Sequence, residues 1–492
     1  MTNVVLSNSA ALPRAMLEEK RTTARRVPWQ RFLQQAALPV PSGSLAVFRM
    51  VLGALIVVSV ARFFYYDWVT EYFVKPRFFF KYPGFEWIPH PGALGVRALF
   101  LGVGALGAAF ATGLYFRVVA PLLFLGFAWI QGLDATNYLN HYYLVTWLLL
   151  LSCFMPLGEV AGLDAVRKKS TMQTLPQWML WLLRFQIGCV YVFAAKAKFT
   201  TDWLVYGEPL GIWLSSRTQL PILGQLFGLP HVHLAFAWAG FLFDATIVGW
   251  LLWKRSRPIA YAVLVAFHCV TALLFPIGMF PYIMTLLTLL FFAPDWPQQL
   301  QNRLRDRFGE KGRTPSQASS FPPMARNEEP RRPIKALSHP AGVALVAYAL
   351  FHVVMPLRQH LLGDNVLWDE QGMRFSWKVM VREKNASVAF LVENSVTGRI
   401  TEVLPRDYLD QRQEREFATQ PEMIAQLAKR IGADAVRTSG QPVKVRADAL
   451  VSLNGRKPAR LIDPTRDLMD VHGDSWILPL PASEPKHLRG ER

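Results

Sequence analysis

SLAVFRMVLGALIVVSVARFFY, residues 44–65, decides the fold class. A bilayer-spanning helix needs about 20 mostly apolar residues, and this run supplies them. Further runs of the same kind lie at 93–115, 117–132, 142–158, 177–195, 235–253, 258–275, 278–293 and 339–357. They predict about nine spans, of which the third, fourth and eighth are short. The stretch 67–92 is aromatic and broken by prolines, which predicts an interfacial loop or a half-buried helix. Composition agrees. The chain is 52% hydrophobic and only 18% charged, against about 25% charged in an ordinary soluble protein.

The net charge of +18 and the pI near 9.9 would suit nucleic acid or an anionic membrane surface. The basic residues, however, crowd into particular loops. With a cytoplasmic N-terminus and alternating spans, Arg117, the cluster Arg167/Lys168/Lys169, the cluster Lys254/Arg255/Arg257 and the arginine-rich segment 294–338 all fall on one side. That is the positive-inside pattern, and no nucleic-acid partner is implied. The first 43 residues carry Arg14, Lys20, Arg21, Arg25, Arg26 and Arg31 with no apolar core close behind. They predict a basic cytoplasmic tail and not a cleavable signal peptide. The expected organisation is this tail (1–43), a membrane domain (44–300), a basic Pro- and Ser-rich cytoplasmic linker (301–338), a last transmembrane helix (339–357) and an extracytoplasmic domain (358–492). Alternating runs at Ser387–Val392 and Pro442–Leu453, with a helix over 420–431, make that last domain a small α+β unit. The fold expected is therefore a polytopic α-helical membrane bundle followed by a small α+β domain. Cys153, Cys189 and Cys269 all lie in apolar segments and form no CxxC, so neither a disulfide scaffold nor a zinc site is predicted.

Polar groups inside spans are costly and point to function. Arg184 and Gln186 sit within the fifth span, and Lys196 and Lys198 lie near its outer end, before Asp202-Trp203. Either lysine can snorkel to the interface. Alternatively, one is desolvated, and a neutral amine can act as a base. Asn140-His141 opens the fourth span, where His141 either anchors the helix or does chemistry. His268 and Thr271 lie in the seventh span, ahead of a break at Pro276, Gly278 and Pro281. A broken helix at membrane depth is tolerated where it lines protein or a cavity. Asp244, in the sixth span, reads as the partner of Arg184 in a structural ion pair. Together these residues indicate a polar cavity open to the outer face. Proton-transfer chemistry and a transporter site are both compatible with it.

Several stretches resemble the vitamin K-dependent γ-glutamyl carboxylase family, also described as horizontally transferred transmembrane domain proteins. They are Ala194–Trp203, Asn140-His141, Phe267–Tyr282 leading to Ala293–Pro297, Trp368 with Phe375-Ser376-Trp377 and Met380, and Val451–Asn454 followed by Arg460–Pro464. The resemblance covers about residues 40 to 470, in one order along the chain, and makes 44–300 a carboxylase-like transmembrane domain.

The resemblance implies a metal-free mechanism. A lysine deprotonates reduced vitamin K, and dioxygen converts the product into a strongly basic alkoxide. That base takes the γ-proton of a glutamyl side chain, carbon dioxide adds, and the quinone leaves as the epoxide. The physical demands are an apolar tunnel, an available amine and exclusion of water. Counting back from Asp202-Trp203, the family's catalytic lysine falls on Lys198, and its lysine neighbour is Ala197 here. His141 matches the histidine implied to assist carboxylation, by polarising carbon dioxide or stabilising the carbanion. His268 matches a histidine implied to hydrogen-bond the quinone, although Thr271 replaces the family's asparagine. Asn140, Arg184, Gln186, Asp202, Trp203, Asp244 and Thr271 are implied quinone-binding or supporting residues.

The implied partners are the lipid bilayer, an isoprenoid quinol and a Glu-containing peptide, and the chain resembles a bacterial inner-membrane homologue. Recognition of an animal-type propeptide is not expected. The chain stops soon after Asp463-Pro464, where the animal enzymes continue, and its tail has no cysteine. Two other readings compete. One is a relative that oxidises or epoxidises a quinol without carboxylating glutamate. The other is a transporter or lipid-binding membrane protein, for which an inverted repeat would be the usual sign and is not evident.

Overall fold

A computed structural model of the chain describes residues 28–170, 172–221, 224–308, 337–363 and 365–485. Most of the expected N-terminal tail (1–27) and most of the expected linker (309–336) lie outside the described residues.

Seven helices among the described residues are long and apolar enough to cross a membrane. They are α1 (Gly43–Tyr65), α2 (Gly92–Thr112), α3 (Phe116–Leu133), α5 (Gln177–Lys198), α6 (Pro230–Leu252), α7 (Arg257–Leu274) and α9 (His339–Leu357). The expected fourth and eighth spans are shorter. They form α4 (Asn140–Cys153) and α8 (Phe280–Leu287), the latter tightening into a 3₁₀ turn over Thr288–Phe291. The reasons are local. Pro156 follows closely on α4, and a second proline, Pro176, immediately precedes α5. Before α8 the chain breaks at Pro276 and at Gly278, whose φ of +61° is a left-handed conformation that favours glycine. Without a hydrophobic force between helices in lipid, close backbone packing holds such a bundle. At the α1–α2 crossing, a Cβ on Gly53 would sit 2.6 Å from the Gly107 carbonyl oxygen.

Chain ends and loops sort to two ends of the bundle. At one end, β1 (Pro39–Pro41) pairs antiparallel with β2 (Thr174–Pro176), and Trp29 donates to the His339 ring at the start of α9. At the other end lie the loops around 134–139 and 199–229, and on them sits the C-terminal domain. Its sheet runs in the order β4 (Ile400–Val403), β3 (Lys384–Asn394), β5 (Val443–Leu453), β6 (Ala459–Arg460), all antiparallel. Val388, Phe390 and Val392 of β3 and Val445, Ala447, Ala449 and Val451 of β5 are buried at alternate positions, as a one-sided sheet requires. That face packs with the apolar side of α11 (Pro421–Ser439), through Met423, Ile424, Leu427, Ala428 and Ile431. Full burial of each larger aliphatic side chain contributes roughly 1.5–3 kcal/mol. A shorter helix, α10 (Gln411–Phe417), docks the domain on the bundle. Gln413 Nε2 donates to Asp134 at 2.9 Å, and Arg412 donates to Asn137 at 2.6 Å.

Candidate functional site

The outer half of α5 places the site. Tyr191, Ala194 and Lys198 recur at helical spacing and share one face, which lines an apolar cavity of about 480 Å³. Lys196 lies two residues back, on a different face, and its ammonium meets the His360 ring at 2.7 Å. Helical periodicity thus separates the two lysines. Lys198 is 7% exposed inside the bundle, whereas Lys196 is exposed at the rim.

Opposite α5, Phe236, Gly240, Phe243 and Asp244 come from α6, and Val263, Phe267, His268, Thr271 and Leu274 from α7. Phe243 and Phe267 stack with centroids 3.9 Å apart. Lys198 Nζ donates to Asp244 Oδ2 at 2.6 Å, and both side chains are buried. The pair is neutral overall wherever its proton resides, which makes a buried lysine tolerable here. The Trp203 ring lies 5.3 Å from Nζ and is fixed by its indole N–H bond to the Ala237 carbonyl. His268 Nε2 meets the Tyr191 hydroxyl at 3.0 Å, while its Nδ1 is buried with no hydrogen-bond partner among the described residues. Thr271 donates to the His268 carbonyl.

The arrangement brings together Lys198, Asp244, His268, Thr271 and Trp203. It corrects one expected contact. Asp244 does not pair with Arg184. The Arg184 guanidinium donates to the carbonyls of Leu290 (2.7 Å) and Phe292 (2.9 Å), at the end of the 3₁₀ turn after α8. Those carbonyls lack helical partners and carry the negative end of the turn's dipole, so a cation satisfies both needs. Gln186 is also away from the cavity, accepting from Tyr348 of α9 at 2.6 Å. His141 is buried one ring further out. It lies against Phe280, which itself lines the cavity beside His268. A Cβ on Gly278 would be 4.0 Å from the His141 ring. Asn140 accepts from Tyr138 and donates to the Lys378 carbonyl, tying the start of α4 to the C-terminal domain. Asp202 receives both terminal nitrogens of Arg456, at 2.6 and 2.7 Å, and the Asn454 amide at 2.8 Å. It is a clasp between the membrane and soluble parts.

The roof of the cavity was not legible in the sequence. Leu210 and Trp213 of the 199–229 loop cover it, together with Val379 and Met380. Trp213 is held by a 2.7 Å bond to Glu383. Phe375, Trp377 and Met380 all have positive φ, between 53° and 64°. Such residues cost about 1–3 kcal/mol each and persist where the surroundings over-determine them, often at functional sites. The Phe375–Met380 motif marked this segment, but only tertiary packing turns it towards the membrane.

Comparison with known families agrees with this geometry. A family profile for the HTTM domain matches residues 38–296. A second, for the vitamin K-dependent gamma-carboxylase lumenal domain, matches residues 338–483. The chain belongs to the vitamin K-dependent γ-carboxylase family. The first match covers the bundle through α8 and the second covers α9 and the soluble domain, and the Lys198 cavity forms where the bundle and the soluble domain touch. No solved structure matches the chain significantly. Among the described residues, no group of three or more His, Cys, Asp and Glu side chains could hold a metal ion.

Proposed function

We propose that this carboxylase-family membrane protein couples dioxygen-dependent epoxidation of a reduced vitamin K to carboxylation of glutamyl side chains, with Lys198 as the base. The observation that carries the reading is a buried amine, paired to Asp244 at 2.6 Å, at the polar wall of an otherwise apolar cavity. The cavity residues fit an isoprenoid quinol. Its volume lies in the usual range for a small-molecule site of about 300–1,000 Å³. Its walls are mostly aromatic and aliphatic, with His268, whose Nδ1 is buried without a partner among the described residues, as one of the few polar side chains lining it. Bound there with dioxygen, reduced vitamin K supplies the strong base that removes the γ-proton of glutamate.

The protein's residues then have defined tasks. To act as a base, Lys198 first passes a proton to Asp244, an N–H bond breaking as an O–H bond forms, which leaves a neutral amine at the cavity wall. It accepts a quinol hydroxyl proton, so that an O–H bond breaks and an N–H bond forms at Nζ. The positive charge gained is balanced by the oxygen it deprotonates. His268, oriented by Tyr191, holds the ring. Trp213, Met380 and Val379 keep water from the roof, which a strong base requires. His141, behind Phe280, serves the carbon–carbon bond-forming step.

The first test is epoxide formation from reduced vitamin K, with labelled carbon dioxide and a short Glu peptide. Wild type should form epoxide and incorporate label. Lys198→Ala should lose both by about 10²–10⁴-fold while still binding quinone, and His141→Ala should lose label more than epoxide. Epoxide without label would leave a quinol-epoxidising relative. A folded wild type that binds quinone and makes no epoxide would sink the catalytic reading in favour of transport or binding.

In the same reading the chain sits in a bacterial inner membrane with its tail (1–43) and linker (301–338) in the cytoplasm, the bundle over 44–300 and 339–357, and the domain 358–492 outside. The grouping of basic loops supports this. With Cys153, Cys189 and Cys269 replaced by serine, Ser395→Cys should react with a membrane-impermeant thiol reagent in intact cells, and protection until lysis would reverse the orientation.

A further inference from the structure

A second apolar cavity, of about 590 Å³, lies across α4 from the first. Helical periodicity on α4 separates the two. His141 turns towards Phe280 and the Lys198 cavity, whereas Tyr143, Thr146, Trp147 and Leu150 line the second. Its other walls come from the outer end of α3, from Phe351 and Met355 of α9, and from the loop over 82–88. The segment Phe375–Met380 closes both cavities. Phe375 faces the second, and Val379 and Met380 face the first. Trp377 is fully buried against Tyr143, with ring centroids 4.9 Å apart.

Its lining describes an occupant. Trp87, Trp129 and Phe351 are exposed at the mouth, so the cavity opens sideways into the bilayer near the outer interface, where such rings collect. No lining residue is charged, and more than half are aromatic. Two guanidiniums lie over the rings of Tyr82 and Phe375, but both are already engaged. Arg374 meets Gln420 and Glu422, and Arg358 donates to the carbonyls of Met355 and Arg374. A phosphate or carboxylate therefore finds no counter-ion in this space. Aromatic walls favour a flat ring over a flexible acyl chain. Finally, Gln131, near the end of α3, lines the cavity with a side-chain amide that has no hydrogen-bond partner among the described residues. A polar group at membrane depth calls for a partner. The ligand these features fit is neutral and flat, carries an oxygen that accepts from an amide, and has an apolar tail.

We propose that this cavity is a second site for an isoprenoid quinone, in which the Gln131 amide donates to a ring oxygen and the tail passes out between α3 and α9 into lipid. The quinone as occupant rests on the carboxylase reading, whereas a site for a flat, neutral lipid does not. One chain then holds two quinones, one at Lys198 and one waiting or leaving across α4, under the same closing segment.

The test is photolabelling of full-length protein in phosphatidylcholine nanodiscs, mapped by mass spectrometry, with an oxidised menaquinone that carries a diazirine next to its ring. Label should appear saturably on two sets of peptides, one within 236–274 and one within 124–150 and 351–355. Unlabelled menaquinone should compete at both. Ala128→Trp fills the second cavity and should remove the second set alone. Gln131→Leu changes little volume and should raise the half-saturating concentration at that set by about 2–10-fold, as expected for loss of one hydrogen bond, while leaving the first set unchanged. Label on the first set only would overturn the proposal, as would unchanged saturation in Gln131→Leu. Equal competition by squalene, an isoprenoid with no ring, would mean an ordinary lipid groove, with the same consequence. So would equal labelling by a phosphatidylcholine that carries the same diazirine. None of these readouts needs turnover. Two saturable sets in a protein that makes no epoxide would keep the second site and remove the carboxylase reading, and epoxide formation with the first set alone would do the opposite.

Discussion

At the scale of single residues, the pairing of Lys198 with Asp244 governs both stability and chemistry. Removing one member of a buried ion pair strands the other, which typically costs about 3–5 kcal/mol. Asp244→Asn should therefore unfold at a clearly lower temperature than wild type in detergent. The neutral double variant Lys198→Met/Asp244→Asn should recover most of the loss. If Asp244→Asn melts like wild type, the two side chains are not buried against each other. The sequence marked Lys198 and Asp244 as ionisable groups in apolar surroundings but misassigned the partner. Arg184 and Asp244 both lay mid-span, and spacing along separate helices says nothing about which faces meet. The same gap hid Gln131, whose apolar neighbours along α3 give no sign that it would line a cavity shared with α4 and α9.

At the scale of elements, the long spans followed from composition, and the broken ones did not. The runs that became α4 and α8 were apolar enough to read as spans, but Pro156, Pro276 and Gly278 cut them short, which places His141 and Phe280 near the cavity. The loop between α5 and α6 offers a test of how this outer layer is held. Glu208 is buried there and accepts from the Ile212 backbone N–H. Burial raises its pKa from 4.5 to about 7. The folded state therefore binds this proton more tightly than the unfolded chain. Its contribution is fully present below pH 4.5 and is lost as the pH rises through 7. Glu208→Gln should flatten that part of the stability profile and stabilise the protein at neutral pH by on the order of 1–3 kcal/mol. Thermal unfolding across that window would show it, and an unchanged pH slope would mean that Glu208 does not titrate in the fold.

At the scale of the whole molecule, the cavity exists because the soluble domain closes it. Asp202 sits four residues beyond Lys198 and grips Arg456 and Asn454 after β5, while Trp213 grips Glu383. The Asp202–Arg456 contact should show a coupling energy of about 0.5–3 kcal/mol in a double-mutant cycle. Asp202→Ala should also speed proteolytic release of the domain carrying β3–β6. Additive effects, with unchanged proteolysis, would mean that the roof is held elsewhere.

The sequence by itself determined the membrane bundle, the soluble α+β domain after it, the family, and the shortlist of polar residues. These are carried by local composition, by periodicity along one helix or strand, and by short motifs in order. That Lys196 and Lys198 fall on different faces of one helix was also within its reach, although only the family resemblance pointed to Lys198. Only the tertiary structure decided that Asp244 faces Lys198, that Arg184 caps the turn after α8, and that Gln186 belongs to α9. It also put Met380 over one cavity and Phe375 over another. Those are contacts between elements far apart in the chain, set by how helices rotate and loops fold over them, and no pattern along the chain records that rotation.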